Sequence, residues 1–270
     1  MTEQLWTLID RHITDRLVPA DPALEATLAA SAAAGLPEIQ VAANQGKLLG
    51  LLARIQGARM ILEIGTLGGY STIWLARALP AGGRLVTLEA DPRHAEVARA
   101  NLAGAGLAEV VEVLVGPALA TLPQLVAEGR GPFDLVFIDA DKANNPEYVI
   151  WAMKLARVGT VIIVDNVVRK GTILDAASED PDVQGTRRLY NLLGAHPRLS
   201  ATPCRRSAAR ATTASSWPWS PHPERALGVQ AGSMNCRSSS IFTTSPSMAP
   251  RAPKPRKSLR WISPLASNPA

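Results

Sequence analysis

The sequence predicts an α/β fold with a doubly wound, mostly parallel sheet. Three observations carry that prediction. Short runs of Val, Ile, Leu and Phe alternate with helical segments from residue 60 to about residue 200, and repeated β-α units of this kind build a parallel sheet covered on both faces. The runs are near-continuously apolar rather than alternating, as strands buried on both sides require. An acidic or glycine-rich stretch follows several of them, which places polar groups beyond the carboxyl ends of the strands, where such sheets bind ligands.

The elements follow in order. Residues 1–20 read as a helix, and residues 22–35 as an alanine-rich helix begun at Asp21-Pro22, where proline suits a first helical position. Residues 45–55 form a third, amphipathic helix. Strands are predicted at 60–64, 84–89, 110–115, 133–138 and 160–164. Helices are predicted between them at 71–78, 93–103, 118–128 and 146–155, followed by one at 182–196 and a sixth strand from Leu199. Trp74, Leu75 and Leu102 are expected in the core.

After about Thr202 the pattern stops. Residues 203–270 hold 10 of the 28 Lys/Arg residues but only one acid, Glu224, along with ten of the 21 prolines and both cysteines, Cys204 and Cys236. The overall charge of +5 therefore divides into a mildly acidic body and a strongly basic tail. The body offers no disulfide or thiolate chemistry. Two readings of the tail stand: a disordered basic segment, or the product of a shifted reading frame. Codons for Pro203 to Ser220 read out of frame permit an Asp-Gly turn followed by an apolar strand, with a stop near Pro223-Glu224. The expected domains are thus 1–202, folded, and 203–270, an appended tail. Trp217, Trp219 and Trp261 among arginines would suit RNA stacking, but the shifted frame accounts for them better, so no nucleic-acid partner is expected. No apolar run reaches the length of a membrane span. The N-terminus lacks the basic-then-apolar order of a signal peptide, and a cytoplasmic location is expected.

The most informative stretch runs from Asp139-Ala140-Asp141-Lys142 to Asp165-Asn166. Each acidic group sits where an apolar run ends, and the residues between suit one crossover helix. Neighbouring parallel strands would bring Asp139, Asp165 and Asn166 to one sheet edge. Three hard oxygen ligands there suit a magnesium-type ion, and Lys142 is a candidate base beside it. Taken singly, such an aspartate is as well read as a helix cap, and Lys142 as a solvated lysine. Gly65-Thr66-Leu67-Gly68-Gly69 follows the first strand and opens a helix, so its backbone can approach a ligand at the helix N-terminus; a plain tight turn is the alternative. The spacing does not match the dinucleotide pattern of a nicotinamide enzyme. Glu89 ends the second strand, where a carboxylate can accept both hydroxyls of a ribose. His94 reads as a surface helix residue. Arg169-Lys170 either line a substrate mouth or are solvated.

Glu63-x-Gly65-x-x-x-Gly69-Tyr70-Ser71, Glu89, Asp139-Ala-Asp-Lys142 and Asp165-Asn166-Val together resemble the cation-dependent class I O-methyltransferases, the group that includes catechol and caffeoyl-CoA O-methyltransferases. The resemblance covers residues 1–202. It implies a seven-stranded Rossmann-like sheet, S-adenosyl-L-methionine as methyl donor, Mg2+ or another divalent cation, a small aromatic dihydroxy substrate and a homodimer when the C-terminus is intact. It implies Asp139, Asp165 and Asn166 as metal ligands, and Lys142 as general base. It places Val41, Glu63, Gly65, Thr66, Ser71, Glu89, Ala118 and Asp139 around the cofactor. Two departures stand out. Gly116-Pro117-Ala118 replaces the usual Gly-Asp-Ala, and the last strand of the sheet is lost from the chain as written, which is therefore expected to be unstable. The alternatives are a cofactor-binding remnant without turnover and a nicotinamide-dependent oxidoreductase.

Overall fold

A computed structural model of the chain describes residues 3–204 and 239–244. Three helices lead the fold: α1 (Glu3–Leu17), α2 (Pro22–Ala33) and α3 (Ala43–Gln56). Strands β1 (Met60–Ile64), β2 (Arg84–Glu89), β3 (Val111–Val115), β4 (Phe133–Ile138) and β5 (Ala156–Val164) then alternate with α4 (Tyr70–Ala76), α5 (Pro92–Gly104), α6 (Ala118–Ala127) and α7 (Asn145–Lys154). The helix α8 (Pro181–Ala195) and strands β6 (Leu199–Cys204) and β7 (Ser239–Thr244) complete it. Short 3-10 turns at Lys142–Asn144 and Arg169–Leu174 interrupt the loops after β4 and β5.

The sheet order is β3-β2-β1-β4-β5-β7-β6. The first five strands are parallel, and β7 pairs antiparallel with both β5 and β6. Strand alternation splits the core into two layers. Leu62, Ile64, Val136, Ile138, Ile162 and Val164 face α6, α7 and α8. Ile61, Leu85, Leu135, Phe137 and Ile163 face α3, α4 and α5. Aspartates at 21, 91 and 180 cap α2, α5 and α8 ahead of a proline, each accepting backbone N–H bonds in the first turn, which satisfies donors the helix cannot. Leu75 and Leu102 are core residues as expected, and Trp74 packs partly buried against that core.

The parallel part of the sheet and its covering helices agree with the sequence reading. The far edge differs from it. The position expected to be lost is filled by Ser239–Thr244, whose partners on β5 run from Val161↔Thr243 to Val164↔Ser240. The physical reason is the edge itself. An unpaired β5 would present a row of free N–H and C=O groups, and Ser-Ser-Ile-Phe-Thr-Thr has the β-branched and aromatic composition that suits a strand. The domain boundary drawn at residue 202 also falls inside β6, which runs to Cys204. The rest of the tail, including the predicted out-of-frame strand and Trp217, Trp219 and Trp261, lies outside the described residues.

Candidate functional site

The carboxyl ends of the parallel strands form one continuous hydrogen-bonded edge. Gly65 N donates to Leu88 O, Asp139 N to Ile64 O, Asp165 N to Ile138 O, and Gly116 N to Glu89 O, all at 2.8–2.9 Å. This ladder brings the ends of β1, β2, β4 and β5 together, so Gly65, Glu89, Asp139 and Asp165 reach one place from distant parts of the chain. Above it lies a cavity of about 680 Å3 whose lining includes Val41, Gly65, Thr66, Ser71, Glu89 and Ala118. Asp139, Lys142 and Asn166 line it as well. That volume suits a small-molecule ligand.

The loop after β1 is held close by geometry that only glycine meets. Gly65 has φ +99°, and a Cβ there would stand 2.3 Å from the Asp139 carbonyl oxygen. Thr66 N and Leu67 N donate to Glu89 Oε2 at 3.1 and 2.7 Å, and Asp91 N donates to Glu89 Oε1 at 3.0 Å. The Glu89 carboxylate therefore ties the glycine loop to the end of β2.

Glu63 sits elsewhere than the resemblance placed it. Its side chain is fully buried and does not line the cavity. It lies behind the loop, accepting hydrogen bonds from Ser71 Oγ at 2.7 Å, Thr72 Oγ1 at 2.5 Å and Thr87 Oγ1 at 2.7 Å. Burial, opposed by these three hydroxyls, pushes its carboxyl up to about 7. Strand alternation is the reason: Ile64 faces one core layer, so Glu63 faces the other, under α4. Ser71 lines the cavity, but its hydroxyl is engaged with Glu63.

The β4–β5 end gathers two carboxylates and a lysine. Lys142 Nζ donates to Asp139 Oδ1 at 2.6 Å, and the lysine is buried at 6 % exposure, so it is not the solvated surface lysine its sequence context also allowed. Asp165 is buried. Its Oδ1 accepts from Asn166 N at 2.7 Å and its Oδ2 from Gln45 Nε2 at 2.8 Å. Burial, with the nearby Asp139 charge adding to it, pushes the Asp165 carboxyl up to about 6. Asn166 adopts φ +58°, a turn that carries its side chain into the cavity wall. One carboxylate raised by burial and by its neighbour's charge, a second carboxylate at Asp139 and an amide beside them form a position that a hard cation would stabilise. Among the described residues no cluster of three His, Cys, Asp or Glu side chains is present; the oxygen set here is two carboxylates and one amide.

Three further residues line the cavity: His94, read from the sequence as a surface residue, Arg169, for which a place at the substrate mouth was one of two readings, and Tyr148, which was not read at all. His94 lines the cavity with Nδ1 3.6 Å from Glu89 Oε1, rather than standing on the free surface of α5. Arg169 lines it and pairs with Asp182 Oδ2 at 3.0 Å, whereas Lys170 is exposed. Tyr148 lines it and donates to Asp141; burial first, and then the bond to that carboxylate, raise the phenol above its ordinary range. An Asp-x-x-x-x-x-x-Tyr spacing across a turn gives no sequence signal of that contact.

A family model described as O-methyltransferase matches residues 18–204. The chain belongs to the O-methyltransferase family. A catechol O-methyltransferase of Mycobacterium tuberculosis is 60% identical over 194 residues, covering 72% of this chain and 86% of the relative. A catechol O-methyltransferase of Niastella koreensis is 52% identical over 202 residues, covering 75% and 91%. An O-methyltransferase from Bacillus cereus, solved in complex with SAH, superposes with a TM-score of 0.77 at 48% identity, covering 90% of this chain and 99% of that one. Membership removes the nicotinamide-dependent alternative. Among the described residues of this O-methyltransferase, no helix is long and apolar enough to cross a membrane.

Proposed function

We propose that this O-methyltransferase transfers a methyl group from S-adenosyl-L-methionine to one hydroxyl of a catechol-like or caffeoyl-type aromatic, with a divalent cation such as Mg2+. The observation that carries the reading is the convergence of the Gly65 loop, Glu89, Asp139 and Asn166 on one cavity, with Asp165 buried at the adjoining strand end. The SAH-bound relative supports the donor, since SAH is what S-adenosylmethionine becomes on losing its methyl group. The names of the two catechol O-methyltransferases support the acceptor.

In this reading Glu89 accepts the ribose hydroxyls of the donor, and the backbone of Gly65 and Thr66 lies against its amino-acid end. Val41 and Ala118 supply apolar walls, and Ser71 and Glu63 brace the loop from behind. Asp139, Asp165 and Asn166 hold the cation. When bound, that ion would orient two adjacent hydroxyls and lower the pKa of one from about 10, the range of a phenol. Lys142 Nζ, as the neutral amine, takes the proton of the attacking hydroxyl. The oxygen's electron pair then forms the new C–O bond while the C–S pair returns to sulfur. Holding donor and oxygen in line contributes roughly 7–11 kcal/mol of the barrier reduction.

The reading extends to the assembly. The catalytic unit is the part to residue 202, continued by the strand residues to Cys204 and by β7, and it works in the cytoplasm as a homodimer. Exposed Leu51 and Ile55 on α3, the latter at 80 %, support the dimer. The family match ends at residue 204, where the composition changes, which supports a shifted reading frame from about residue 203. The DNA over codons 195–225 tests that point: a site for an insertion or deletion is expected, and its absence sinks it.

Methyl transfer to 3,4-dihydroxybenzoate and to 4-hydroxybenzoate, each with S-adenosylmethionine and Mg2+, tests the function. Methylation of the vicinal diol only is expected. SAH binding without turnover on any diol would leave a cofactor-binding remnant.

A further inference from the structure

Gln45 stands in the first turn of α3, 120 residues from the strand end it serves. It is buried, and its Nε2 donates to Asp165 Oδ2 at 2.8 Å. The other carboxylate oxygen accepts from the backbone N of Asn166. One oxygen is thus fixed by the strand's own turn and the other by a helix from a different layer, which together set the plane of the carboxylate. The amide orientation follows from this network, since the reverse would set a carbonyl oxygen against a carboxylate.

The rest of the side chain explains why it is there. Gln45 Oε1 is buried and has no partner among the described residues. A buried acceptor without a donor is a cost, and a leucine of similar reach would avoid it, so packing alone does not account for the amide. The helix carrying it is closely seated. A Cβ at Gly46 would meet the Trp74 ring at 2.3 Å, and one at Gly50 the Trp74 carbonyl oxygen at 3.2 Å. The donor is therefore presented from a rigid element, as a precisely held ligand requires. A neutral amide also suits the task, because a lysine or arginine at 45 would form an ion pair with Asp165 and compete with a cation.

We infer that Gln45 is a positioning residue that orients the Asp165 carboxylate for a divalent cation. The inference rests on the metal-dependent reading above. Outer partners of ligating carboxylates typically change metal affinity 10–100-fold when removed.

The test uses Mn2+ as probe, followed by its EPR signal, and SAH binding followed by calorimetry, on the full chain. The variants are Gln45→Leu and Gln45→Asn, which remove or withdraw the donor. The expected result is Mn2+ binding by the unsubstituted protein, weakened at least 10-fold in both variants, with SAH affinity changed less than twofold. Unchanged Mn2+ affinity in a variant that still binds SAH overturns the inference and leaves the metal reading standing. Equal losses of Mn2+ and SAH affinity in both variants would make Gln45 a packing residue and overturn it too. No Mn2+ binding by the unsubstituted protein would overturn the metal reading itself, and the inference with it.

Discussion

Glu63 shows how much a single buried carboxylate can cost. Its carboxyl, ordinarily near 4.5, stands at about 7 in the folded protein because burial outweighs the hydroxyls of Thr72, Thr87 and Ser71. Below pH 4.5 folded and unfolded chains both hold the proton. Between pH 4.5 and 7 only the folded chain keeps it, so this group's contribution to stability falls as pH rises and levels off above 7. The shift corresponds to about 3 kcal/mol. Urea unfolding in EDTA at pH 5 and pH 8 is expected to show Glu63→Gln gaining stability relative to the unsubstituted protein as pH rises; a difference that does not move with pH contradicts this. Lys142 carries a different kind of prediction. Lys142→Ala is expected to lower kcat by roughly 10²–10⁴ while SAH affinity stays within a few-fold, as measured by steady-state kinetics and calorimetry. At this scale the sequence was legible where a polar residue ends an apolar run. Asp139, Asp165, Asn166 and Glu89 all do so, and the strand ends carry Asp139, Asn166 and Glu89 to the cavity and bury Asp165 at the same edge. Gln45 and His94 were illegible, because one acts across 120 residues and the other sits on a helix whose turn toward Glu89 depends on the packing of α5. Glu63 was legible as a motif residue but not in its direction, which the strand's alternation decided.

Among the elements, the start of β4 is locked to both neighbouring strands by one side chain. Asp134 Oδ2 accepts from the backbone N of Arg59 and Met60 at 2.7 and 3.0 Å, ahead of β1, and Oδ1 accepts from Arg157 of β5 at 3.0 and 2.6 Å. Asp134 is buried, and these donors, led by the backbone of Arg59, hold its carboxyl below the ordinary range against the cost of burial. Asp134→Ala leaves two backbone donors near the start of the sheet unpaired, and a loss of about 2–3 kcal/mol is expected, read as a lower urea midpoint with unchanged slope. A loss under about 0.5 kcal/mol, the size of a surface change, would contradict the lock. The elements themselves were largely legible, because continuous apolar runs specify buried strands whatever their neighbours. The early start of β5 was not. Residues 156–159 break the apolar run, and the strand continues through them because the Thr160 hydroxyl donates to Phe133 O at 2.7 Å and accepts from Arg157 N at 2.9 Å across a register shift. The 3-10 turns after β4 and β5 were equally silent: Arg169 and Lys170 both have positive φ, which neither residue type advertises.

The whole molecule is a sheet whose catalytic edge and far edge have different histories in the sequence. The catalytic edge comes from residues 60–166, inside the family match. On the far side β7 joins β5 to the edge strand β6, after 34 intervening residues. Pairing β7 between β5 and β6 removes an exposed edge, so deleting residues 239–270 is expected to lower the melting temperature. The restored-frame chain is expected to melt above the chain as written, because a strand joined by a short turn closes the edge with less loop entropy than one reached across 34 residues. Equal melting temperatures for the written and restored-frame chains would contradict that account of the tail. In the proposed reaction Asp139, Asp165 and Asn166 hold a cation which methyl transfer requires. The measurement that tests it most directly is the rate of methyl transfer to a 3,4-dihydroxy aromatic before EDTA, after EDTA, and after Mg2+ is restored. Turnover that EDTA abolishes and Mg2+ returns is expected, with the affinity for SAH unchanged by EDTA. Turnover undiminished by EDTA would contradict it.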